Sequence, residues 1–77
     1  MKIQSVLGPL FPEIQRPLNA EDSPLTLWPW DSVRQVDVIL AVEDAFAVEL
    51  TTAEIADLKS VGSVVDILRR RGMDVEV

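Results

Sequence analysis

The chain has 77 residues, no cysteine, no histidine and a formal net charge of −6. It forms one small domain at most, and it has no means to build disulfides, thiolate metal sites, a histidine base or a Ser-His triad; zinc would have carboxylates alone to hold it. Its apolar runs are too short to cross a bilayer, and Met1-Lys2-Ile3-Gln4-Ser5 lacks the apolar stretch of a signal peptide, so a soluble intracellular domain is expected.

In chain order, Ile3, Val6, Leu7, Leu10, Phe11 and Ile14 keep helical spacing. Gly8-Pro9 and Pro12 interrupt it, because an interior proline removes a backbone donor at a cost of about 3 kcal/mol. The first helix is therefore predicted to be short or kinked. Arg16 to Trp30 holds Pro17, Asn19, Ser23, Pro24 and Pro29 and reads as a long loop. Asp31 is a good N-cap for a second helix, with its charge matched to the positive end of the helix dipole. From Val36 to Val48 apolar residues take most of the circumference. Val36 and Leu40 lie on one side and Ile39, Val42 and Phe46 on another, as in a central helix packed by several neighbours. Asp37 and Asp44 share an exposed stripe, with Glu43 at another solvent edge.

Thr51-Thr52-Ala53-Glu54 fits a capping box for a short helix carrying Ile55 and Leu58. Ser60 suits the start of a last helix, where Val61, Val64, Val65 and Leu68 recur at one face. Arg69, Arg70 and Arg71 fall in its last turn, which favours helix termination over a binding patch, and Gly72 closes it. Met73 to Val77 is predicted to fray. No segment alternates strongly enough to argue for a strand. The expected fold is all-α, with three longer helices and one short one in a single domain spanning residues 1–77.

The negative charge is uneven. Asp31, Asp37, Glu43, Asp44, Glu49, Glu54 and Asp57 lie between residues 31 and 58 with one base, Arg34, while acids and bases balance elsewhere. Such a field repels nucleic acid and attracts basic protein surfaces, although a solvated helix face has the same composition.

At Asp31-Ser32-Val33 the residues meet a family. The segment Trp30 to Phe46, WDSVRQVDVILAVEDAF, resembles the acyl and peptidyl carrier proteins, which place a D-S-L-type motif at the start of helix two. The resemblance runs from Asp31 to Leu68 without a gap. It is closest to the stand-alone subset with Trp-Asp-Ser before this helix. It implies a four-helix carrier-protein bundle, cytoplasmic and monomeric, that is not itself an enzyme. Ser32 matches the serine whose hydroxyl receives 4′-phosphopantetheine from coenzyme A, and Asp31 the acid expected at the contact with the phosphopantetheinyl transferase. Val33, Asp37, Glu43, Asp44 and Glu49 match positions that dock on partners, here an acyl-loading ligase or transferase and downstream biosynthetic enzymes. Phe46, Leu50 and Val61 match core positions. The thiol of the arm would supply the sulfur this chain lacks, holding acyl or aminoacyl thioesters for a specialised pathway. No nucleic acid or membrane is implied.

Val33 stands where the family more often has leucine, and Arg34 where many fatty-acid carriers have an acid. Trp28 and Trp30 suit contacts to the arm or a partner, or closure over the end of the bundle; at least one is expected in the core. Two other readings stay open. One is an unmodified helical interaction domain with a carrier-like fold and an apolar groove. The other is a small enzyme using Glu43 or Asp44 as acid and base, for which no paired carboxylates in an evident pocket argue.

Overall fold

Prolines decide the shape of the N-terminal element. In the computed structural model, which describes all residues 1–77, helix α1 covers only Gln4–Leu7. It passes into a 3-10 turn at Gly8–Leu10, with proline at its start. Two long helices follow, α2 (Ser32–Phe46) and α4 (Val61–Arg70), with short α3 (Thr52–Ala56) between them. The all-α, four-helix expectation holds, but the first helix is as short as its prolines require, leaving two longer helices rather than three.

The predicted caps form. The Asp31 carboxylate accepts from the Arg34 amide at 2.8 Å. Thr51 and Glu54 complete a reciprocal capping box, and Ser60 Oγ accepts from the Ser63 amide at 3.0 Å. Gly72 adopts φ +84°, the left-handed conformation that glycine reaches without steric cost, directly after the end of α4.

The core is organised on α4. Val61, Val64, Val65, Ile67 and Leu68 are all buried there, against Ile3 and Leu7 at the N-terminus, Trp30 of the loop, and Val38 and Val42 of α2. Leu50 and Val61 occupy the core as expected, and Phe46 packs partly buried against it. The expectation that α2 is packed on most sides fails on one face. Val36 and Leu40 stay 53% and 57% exposed.

The loop from Pro12 to Asp31 contains no helix, yet it is densely tied. Asp22 is buried and holds Arg16 through paired bonds of 2.8 and 2.9 Å. Its carboxylate also accepts from the Asn19 amide. The loop then reaches the start of α4: Val61 N donates to Asp22 O and Gly62 N to Ala20 O. Glycine suits this approach, since a Cβ on Gly62 would lie 3.1 Å from Ala20 O, tighter than ordinary contact.

The C-terminal residues do not fray. Ile3 N donates to Glu76 O and Glu76 N to Met1 O, making an isolated parallel bridge between Lys2 and Glu76. Val75 is buried in the core, and Arg69 Nε donates to its carbonyl. The pairing partner lies at the other end of the chain, so no local pattern announces it. The arginines at the end of α4 are used internally: Arg70 bonds the Asp66 carbonyl, while Arg71 pairs with Glu54 and bonds the Glu49 carbonyl.

Candidate functional site

Ser32 is the first residue of α2 and is exposed, with no protein group bonded to its hydroxyl. It sits there because Asp31 takes the capping duty. The Asp31 backbone is extended, and its side chain satisfies the third amide of the helix. The amides of Ser32 and Val33 have no protein acceptor. A 15-residue helix thus offers open N–H groups and the positive end of its dipole beside a free hydroxyl.

Exposed apolar side chains flank the serine. Val33 follows it, Val36 and Leu40 continue along α2, and Trp28 precedes it in the loop at 78% exposure. Asp37 and Asp44 are exposed on the same helix, and Glu49 is exposed beyond its end. Glu43 has a structural role as well as its place at a solvent edge. It is only partly exposed, and its carboxylate accepts from the Leu50 amide at 2.9 Å, tying down the α2–α3 connection.

The two tryptophans divide. Trp30 is buried, with its ring 5.4 Å from Phe11, while Trp28 remains in solvent. Trp30 Nε1 donates to Gln35 Oε1 at 2.7 Å, and Gln35 Nε2 donates to Leu58 O at 3.3 Å. Sequence reasoning overlooked Gln35, since a glutamine one turn into a helix carries no signal of its own.

Arg34 stands two residues after Ser32 but does not present a free positive charge. Its guanidinium forms paired bonds to Glu13 of 2.9 and 2.8 Å, a third to Leu10 O, and lies 5.7 Å from the Phe11 ring centre. The Arg34 hydrogen bond, helped by a backbone bond, holds the Glu13 carboxyl down at about 2. Arg34 therefore clamps the loop onto α2, and the acids around Ser32 keep their field. Glu13 was missed because its partner lies 21 residues away.

A solved structure shares this architecture. The chain matches the solution structure of a holo acyl carrier protein from Geobacter metallireducens with a TM-score of 0.77 and 22% identity, covering 88% of this chain and 78% of that one. The fold is that of an acyl carrier protein. No family model matches the chain, and no curated protein matches it in sequence. No helix is long and apolar enough to cross a membrane.

Proposed function

We propose that residues 1–77 act as a carrier module, not an enzyme, bearing 4′-phosphopantetheine on Ser32. The observation that carries this reading is a serine hydroxyl, solvent-exposed and uncommitted, at the start of the longest helix of an acyl-carrier fold. The residues suit the group. The hydroxyl is free to be esterified, the open amides of Ser32 and Val33 face a phosphodiester, and the nearest guanidinium is already paired with Glu13. The bound arm would supply a thiol for thioester chemistry. The chain's part is to hold that arm at its surface and to offer recognition around it.

Asp31, Val33, Asp37, Asp44 and Glu49 form the docking surface in this reading, with Glu43 chiefly bracing the connection to α3. Apolar side chains between acids suit basic partner enzymes: a phosphopantetheinyl transferase, an acyl-loading ligase or transferase, and later enzymes of a specialised cytoplasmic pathway. Such docking is fast and weakens with salt, as a shuttle requires.

The test is incubation of the folded protein with coenzyme A, magnesium and a broad-specificity phosphopantetheinyl transferase, followed by intact mass. A single phosphopantetheine increment, absent from Ser32→Ala, is expected. A folded protein that gains no mass with several transferases would shift the assignment to an unmodified interaction domain. The exposure of Val33, Val36 and Leu40 favours that second reading.

A further inference from the structure

The bundle is closed directly beneath Ser32. Gln35, one turn further along α2, accepts the Trp30 indole proton and donates to the Leu58 carbonyl. This single side chain straps the loop before α2, the start of α2 and the turn after α3 to one another. Behind the strap, Trp30, Val38, Leu58 and Val61 are buried in one continuous cluster. No pocket opens beside the strap. A long alkyl chain entering from Ser32 would have to break both bonds of Gln35 and displace side chains packed at interior density.

Resting on the carrier reading above, we propose that this chain keeps its cargo outside the bundle and so serves short or polar acyl groups, aminoacyl and hydroxyacyl groups among them, rather than long alkyl chains. The Gln35 strap is the device that excludes the chain. A long alkyl thioester held outside would expose its whole length to water, whereas a short or polar group tolerates the surface. The thioester then stays open to solvent and to partner enzymes at every chain length.

The experiment loads Ser32 from acetyl-, hexanoyl- and dodecanoyl-coenzyme A with a broad-specificity transferase and confirms each product by intact mass. Thioester cleavage by hydroxylamine is then timed, and the Trp30 indole N–H resonance is recorded. The three cleavage rates are expected to agree within about twofold, with the indole resonance unmoved. A dodecanoyl form cleaved several-fold more slowly, with the resonance displaced, overturns the proposal.

Gln35→Glu is run beside the wild type. Its carboxylate still accepts the Trp30 proton but repels the Leu58 carbonyl, so the dodecanoyl form is expected to gain protection only in the variant. A variant that stays folded by circular dichroism and gains none overturns the role of the strap. Failure to load any acyl form appears in the mass and sinks the carrier reading itself, so the two failures are told apart.

Discussion

Helices α2 and α4 begin alike and end up in opposite surroundings. Both open on an extended residue whose side chain caps the amide three residues on. At α4 the loop completes the job, with Asp22 and Ala20 carbonyls taking the Val61 and Gly62 amides. At α2 nothing covers the first two amides. The same contrast runs along the helices. Five of the ten residues of α4 are buried, against two of the fifteen in α2, Val38 and Val42. Burial is concentrated where the fold is held, and the longest helix is left free to present side chains.

The sharpest way to break this comparison is to delete the same methyl groups from each helix. Leu68→Ala leaves a cavity under α4 and is expected to cost roughly 2–5 kcal/mol in urea unfolding, enough to endanger a domain this small. Leu40→Ala on the open face of α2 is expected to stay within about 0.5 kcal/mol. Equal losses would mean that α2 is packed in solution on a face that is exposed here. Under the carrier reading, Leu40→Ala should instead weaken partner docking.

The loop that covers α4 can be tested next. Asp22→Asn removes the charge that holds Arg16 and is expected to cost about 1–2 kcal/mol. The Arg16 hydrogen bond, with help from the Asn19 amide and against burial, keeps the Asp22 carboxyl below the usual carboxylate range. A depressed carboxylate contributes stability that is present above its unfolded value and lost as pH falls through the folded one. Glu13 and Glu54, both held at about 2 by arginines, act in the same direction. The urea midpoint should therefore drop as pH falls from about 4 toward about 2, and Asp22→Asn should flatten part of that slope. An unchanged slope would separate the Arg16 pair from stability.

Proximity along the chain explains what could be read from the sequence. The caps at Asp31, Thr51 and Ser60 close over three residues, so residue type and spacing announce them. The prolines shorten α1 through backbone chemistry alone. The prominence of Ser32 follows from the Asp31 cap and from the apolar and acidic pattern around it. What stayed hidden depends on partners far apart in sequence: Arg34 on Glu13, Arg71 on Glu54, and the tail on Ile3. The pattern also could not say which apolar face of α2 meets a neighbour. Val36 and Leu40 have the same spacing as a buried pair, and only the tertiary arrangement leaves them in solvent. The bracing role of Glu43 stayed hidden for a related reason, because its bond to Leu50 depends on how the chain turns after the left-handed Ala47.

The smallest expected effect separates the two serines at the two helix starts. Ser60 is itself the cap, and Ser60→Ala removes the bond to the Ser63 amide at a cost of about 1 kcal/mol. Ser32 lies one residue inside its helix, where Asp31 already caps and alanine is the better helix former. Ser32→Ala is therefore expected to leave the urea midpoint unchanged or slightly raised, by no more than about 0.5 kcal/mol. If it destabilised the fold as much as Ser60→Ala, the hydroxyl would be structural and loss of modification in that variant would say nothing about attachment. If the fold is indifferent to it, the hydroxyl is not structural, and the missing mass increment in Ser32→Ala identifies where the arm is joined.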